Sequence, residues 1–100
     1  MAQISVVYWR DIPAQVIAKA GRTAAKRKLP ERFQEAIDRA AMRSGSHGTD
    51  AYLAEWRRGE PEPCDGDLEA AADIKAAGID AAYDDDRLAR LVAANGREEA

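Results

Sequence analysis

The sequence predicts an α+β domain in the order β-β-α-β-α, a small antiparallel sheet with helices packed on one face. Three observations carry that expectation. Residues 3–10 alternate along a β-branched and aromatic run, residues 30–43 repeat apolar side chains at helical spacing, and the chain after residue 66 turns rich in alanine. At 100 residues the chain has room for one domain. It divides into a core over 3–60 and an alanine- and aspartate-rich helical extension over 66–96.

The first strand is Gln3 to Arg10, with Ile4, Val6 and Tyr8 on one face and Ser5, Val7 and Trp9 on the other. Asp11-Ile12-Pro13 reads as a turn, since proline fixes φ and removes a ladder donor. Ala14 to Lys19 alternates again and completes an antiparallel hairpin that Gly21 ends. Thr23 to Lys28 reads as a loop or fraying turn, because alanines that favour helix sit beside charges that would repel one another.

Pro30 to Arg43 is the clearest helix. Proline suits the first helical position, Glu31 the positive end of the macrodipole, and Arg39 and Arg43 the negative end. Phe33, Ile37, Ala40 and Ala41 make one apolar stripe, and Gly45 can take the left-handed closing position. Ser44 to Gly48 follows as a loop. Residues 51–58 admit two readings: a strand with Tyr52, Ala54 and Trp56 on one face, or a helix capped by Thr49 and stopped by Gly59. The strand is favoured, because a lone hairpin is marginally stable and a third strand completes a sheet. Gly59 to Gly66 is a linker. Asp67 caps the next helix, Gly78 is a candidate break, Asp84-Asp85-Asp86 restarts the helix, and Asn95-Gly96 closes it before the last four residues fray.

Composition closes several doors. Of 46 apolar residues, 22 are alanine, leaving 24 larger side chains for one modest core. No apolar run approaches the roughly 20 residues of a membrane span, and Met1-Ala2-Gln3-Ile4 lacks the features of a secretory signal. Cys64 is the only cysteine, which fits a reducing compartment. A cytoplasmic protein without membrane attachment is expected. The net charge of −3 conceals a polarity: residues 1–59 sum to +5 and residues 60–100 to −8. The favoured explanation is intramolecular, an acidic segment lying near a basic one.

Lys19, Arg22, Lys26, Arg27, Lys28 and Arg32 form the densest basic patch. Such a patch could contact phosphates, but no aromatic is interleaved for base stacking and the pI of about 5.1 is acidic. Nucleic acid is disfavoured, and an acidic protein surface fits better. One histidine, His47, and one cysteine cannot build a zinc site. The aspartate run lacks the spacing of a calcium loop. Cys64 stands among acids that disfavour its thiolate, and no nucleophile–base motif is present. Neither catalysis, metal nor cofactor is expected. Trp9-Arg10-Asp11 and Trp56-Arg57 place an arginine after each tryptophan at a strand end. That pairing suits either a small core or an interface hot spot, with an arginine stacked on a ring.

Tyr8 to Val16, Leu29 to Asp38 and Thr49 to Trp56 together resemble a small bacterial domain family called virulence factor, also similar to a piece of the longer conserved virulence factor C proteins. The resemblance covers roughly residues 3–60, and its most specific string is Trp9-Arg10-Asp11-Ile12-Pro13-Ala14-Gln15-Val16. It implies an accessory subunit working beside folate- and corrinoid-dependent methyl-transfer enzymes, with no catalytic residues to carry over. The expected function is therefore a non-catalytic, protein-binding accessory module whose partner surface includes Trp9, Arg10, Asp11, Gln15, Trp56 and Arg57. The alternatives are a folate- or corrinoid-binding domain using Trp9, Arg10 and Trp56, and an RNA-binding protein using the 19–32 segment. The sequence is silent on oligomeric state.

Overall fold

A computed structural model describes residues 2–45, 48, 50–64 and 66–98. Three consecutive strands, β1 (Gln3–Trp9), β2 (Ile12–Ala20) and β3 (Thr23–Lys28), form an antiparallel meander. They are followed by α1 (Glu31–Ser44), α2 (Asp50–Ala54), β4 (Trp56–Arg58), β5 (Glu62–Pro63), α3 (Leu68–Ala82) and α4 (Asp85–Ala93). The sheet order is β3-β2-β1-β4, and β5 pairs the start of β1 on the same side as β4. The fold is α+β with a small antiparallel sheet, and its element order is longer than the five elements the sequence predicts.

The differences have local causes. Residues 23–28 are a strand because extended backbone turns Lys26, Arg27 and Lys28 to alternate faces, which relieves the repulsion that a compact turn would impose. Residues 51–58 are neither all strand nor all helix. A short helix ends at Ala54, and only Trp56–Arg58 joins the sheet, opposite Val7–Trp9. Pro13 is no turn residue but lies inside β2 opposite Tyr8. Ala14 is the extra residue of a bulge there, where a missing ladder donor is tolerated. The turn is instead Arg10-Asp11, with Arg10 at φ 53°. The supposed linker contributes β5. Gly78 sits inside an unbroken α3, at the roughly 1 kcal/mol cost of an interior helical glycine.

The helix signals elsewhere are matched, except that Pro30 precedes α1 with extended backbone and Glu31 takes the first helical position. Asp67 accepts a hydrogen bond from Ala70 N and Asp84 from Arg87 N, capping α3 and α4. Gly45 closes α1 at φ 77°. Phe33, Ile37, Ala40 and Ala41 are all buried. The expectations for His47, the Thr49 cap and the final Glu99-Ala100 lie outside the described residues.

One cluster of buried side chains joins the layers. Ile4, Val6, Val16, Ala18 and Ala25 supply the sheet's inner face, and Leu68, Ala72 and Ile79 supply α3, which lies across β2 and β3. Helix α1 packs against α4, and the two bring Phe33, Ile37, Leu88 and Leu91 to the same core. The opposite face of β3, β2 and β1 carries Lys26, Lys28, Gln15, Ile17, Ser5 and Val7 by alternation.

Candidate functional site

The expected site residues separate into two environments. Trp9 ends β1 and is 0% exposed. Its indole N–H donates to Tyr52 O at 2.9 Å, and the two rings lie 5.7 Å apart. Tyr52 in turn meets Trp56 edge-on at 6.0 Å. Helix α2 thus serves to bring a tyrosine between two tryptophans. Both tryptophan rings join the core packing, Trp9 fully and Trp56 in part.

The Arg10-Asp11 turn is a junction for distant parts of the chain. The Arg10 guanidinium stacks 4.8 Å from the Trp9 ring and donates to Asn95 O at 2.7 Å, while its backbone N–H reaches Glu55 O at 3.1 Å. The Arg10 Nε is buried, with no hydrogen-bond partner among the described residues, 3.7 Å from the Glu55 carboxylate. Asp11 accepts from Glu98 N at 2.7 Å and from Arg57 Nη2 at 3.2 Å, and its own N–H donates to Gly96 O at 2.8 Å. Arg57 also donates to Arg10 O at 2.9 Å and lies 4.5 Å over the Tyr8 ring. These contacts explain the left-handed Arg10, whose cost of roughly 1 kcal/mol or more is offset by bonds on every side. The turn holds the carboxyl-terminal segment to the sheet.

Gly96 belongs to the same junction and was read from sequence only as a helix terminator. Its φ is 88°, and a Cβ there would lie 2.8 Å from Trp9 Cζ3. Beyond it, Arg87 makes paired bonds to Glu98 at 2.6 and 2.8 Å. The Arg87 guanidinium holds the Glu98 carboxyl below its ordinary value. Burial raises the Tyr83 hydroxyl above its own, with Arg87 stacked 3.8 Å from the ring acting in the opposite direction.

Gln15 and Trp56 are placed differently. With Val7, Ala14 and Leu29 they wall a hollow of about 510 Å³ on the sheet face opposite α3, at its α1 end. A second hollow of about 330 Å³ continues across Ser5, Ile17, Lys19 and Arg58.

The basic patch also splits. Arg27 binds Glu69 and Asp73 of α3 at 2.6 Å each, and those carboxylates raise its pKa. Arg32 binds Asp80 at 2.6 Å and Asp85 at 3.3 Å. The acidic segment therefore lies against part of the basic one, as the charge polarity predicts. Lys19, Lys26, Lys28 and Arg58 make no ion pair among the described residues. Arg22 is exposed.

Among the described residues no group of three histidine, cysteine or acidic side chains is placed to hold a metal. No helix is long and apolar enough to cross a membrane. Cys64 is half-buried, its backbone N–H bonded to Ala2 O.

The decisive comparison is with protein families. A model described as "Virulence factor" matches residues 7–92. The chain belongs to the virulence factor family. That match extends past residue 60, taking in α3 and most of α4, so the helices that carry Arg27's and Arg32's partners are part of the family's domain. No curated protein and no solved structure matches the chain.

Proposed function

We propose that the chain is a non-catalytic, protein-binding accessory module of a larger bacterial enzyme system, docking through the hollow walled by Gln15 and Trp56. The single observation that carries this reading is the composition of that hollow. Val7, Ala14, Leu29 and Trp56 give it an apolar lining, and Gln15, Gln34, Lys28 and Glu31 a polar one. An apolar centre inside a polar rim is the anatomy of a protein interface. Trp9, Arg10 and Asp11 act in this reading as the frame behind the surface, since Trp9 is wholly enclosed and the other two are spent on internal bonds. Gln15 and Trp56 remain to face a partner, whereas Arg57, opposite Tyr8 in the register and stacked on its ring, lies on the other side of the sheet from the hollow. The resemblance that led to a methyl-transfer enzyme makes a folate- or corrinoid-dependent enzyme the first partner to try.

The test is site-specific photo-crosslinking in cells, with the reactive group placed at Gln15 or, as a control, at Met42, which is 66% exposed on α1. A protein captured from position 15 and not from 42 is expected. Equal capture from both, or none from 15, would remove the docking surface. Turnover of a folate or corrinoid substrate by the purified chain alone would remove the non-catalytic reading.

A further inference from the structure

We infer that the sheet face opposite α3 recognises an extended, acidic polypeptide segment. This rests on the protein-binding reading and adds the chemistry of the partner. Strand register sets Lys28, Gln15, Val7 and Arg58 opposite one another in a single row across β3, β2, β1 and β4. Three strand spacings put the two cations on the order of 14 Å apart at the ends of the row. In the next row Lys26 stands beside Ile17 and Ser5, and beyond it Lys19 stands between Ala24 and Gln3. Four basic side chains thus share one face, all exposed and none with a carboxylate partner among the described residues.

The contrast with Arg27 is the reason to read this as a binding surface. Arg27 is a neighbour of Lys26 and Lys28 in sequence, yet it points the other way and is met by two carboxylates of α3. Basic residues on edge strands also discourage sheet-to-sheet pairing, a role that needs no ligand. That role covers Lys26, Lys28 and Arg58 but not Lys19, which lies on the interior strand β2. Nor does it provide the two adjoining hollows between the cations.

The occupant's shape follows from the row. Carboxylates four residues apart on an extended segment, about 13 Å, would reach Lys28 and Arg58, while an apolar side chain midway between them, on the same face, would meet Val7 and Ala14. Glu31 is the one acid lining either hollow among the described residues, and it stands beyond Lys28 at the start of α1. A nucleic acid fits less well. Among the described residues Trp56 is the single aromatic lining the hollows and is already engaged edge-on with Tyr52, whereas single-strand binders stack successive bases.

The experiment measures fluorescence anisotropy with a labelled peptide of about nine residues repeating Glu-Ser-Leu-Ser, which puts glutamate and leucine on one face when extended and is long enough to cross the sheet at about 3.3 Å per residue. A glutamine counterpart and a single-stranded RNA of matched charge are the comparison probes. The wild type is compared with Lys26→Glu/Arg58→Glu, with the milder Lys19→Gln/Arg58→Gln, and with Arg39→Glu/Arg90→Glu on the exposed sides of α1 and α4. The expected result is a loss of about tenfold or more in acidic-peptide affinity for the first variant, a smaller loss for the second, and less than about twofold for the third. The neutral peptide should bind at least about tenfold more weakly than the acidic one. Equal losses in the first and third variants, indifference to glutamine, or tighter binding of RNA would overturn the proposal. Capture of a partner from position 15 alongside such a result would leave the protein-binding reading standing and remove only the acidic segment. Failure of both experiments would remove both.

Discussion

The two faces of the sheet use the same residue types to opposite ends. On the side that carries α3, Arg27 is bound by two carboxylates at 2.6 Å. At the same end of the molecule, Arg32 is bound by Asp80 and Asp85. On the other side Lys19, Lys26, Lys28 and Arg58 stand without such partners among the described residues. A one-residue step along β3 decides which fate a side chain meets, because successive residues of a strand point to opposite faces. A basic cluster read along the chain is therefore not a surface patch until the register is known. The difference teaches that charge on one face is structural and on the other is available.

The largest effect should come from the junction at Trp9, where the carboxyl-terminal segment meets the end of β1. Gly96→Ala puts a Cβ against the Trp9 ring and forces φ 88° on a residue that resists it. A loss of about 3 kcal/mol is expected, combining overpacking with backbone strain, read as a lower urea midpoint at unchanged slope. An unchanged midpoint would mean the carboxyl-terminal segment does not press on Trp9. Next is Asp11→Ala, which removes the acceptor for Glu98 N and Arg57. It should cost about 1–2 kcal/mol by the same measurement.

The face comparison is sharpened by a pair of neighbours. Arg27→Ala should lower the midpoint measurably in low salt, and the difference should shrink as salt screens its partners. Lys26→Ala should leave stability where it was. If the two behave alike, register does not sort these charges. The smallest effect is at Glu98, whose carboxyl Arg87 holds below the ordinary value of 4.5. A carboxyl depressed in the folded state stabilises above its unfolded pKa and loses that contribution as pH falls through the lower folded value. Solvent screening keeps this under about 1 kcal/mol. Acid titration of the midpoint below pH 4.5 should be flatter in Arg87→Ala than in wild type.

Much of the frame was legible without coordinates. Alternation in residues 3–10, the Phe33–Ile37–Ala40–Ala41 stripe and the Asp67 and Asp84 caps are local signals, and local physics suffices to read them. What was missed depends on contacts between distant segments. Thr23–Lys28 has weak strand character of its own and is a strand because β2 offers it an edge. Residues 51–58 split because Trp9 takes Tyr52 O while β1 pairs with Trp56–Arg58. For the candidate site, the Trp9-Arg10-Asp11 string was recognised but its role was not. Nothing local foretold that residues 95–98 would return to bond it. The Gln15–Trp56 hollow likewise needed the sheet order to bring those two residues to one face.

The bonds from Arg10 to Asn95 and from Glu98 to Asp11 close separations of 85 and 87 residues, whereas β1, β2 and β3 pair through two-residue turns. Closing a long loop exacts an entropic penalty before its contacts return anything, so the meander should assemble first and the carboxyl-terminal segment should fasten last. Contacts absent from the folding transition state govern how fast the native state comes apart and leave the folding rate nearly untouched. In stopped-flow kinetics Gly96→Ala should therefore steepen neither limb but raise the unfolding rate, and a slowed folding limb would show that the fastening happens early. The segment's last turn would then be a kinetic latch, setting the lifetime of the whole domain from its grip on one ring at the end of β1.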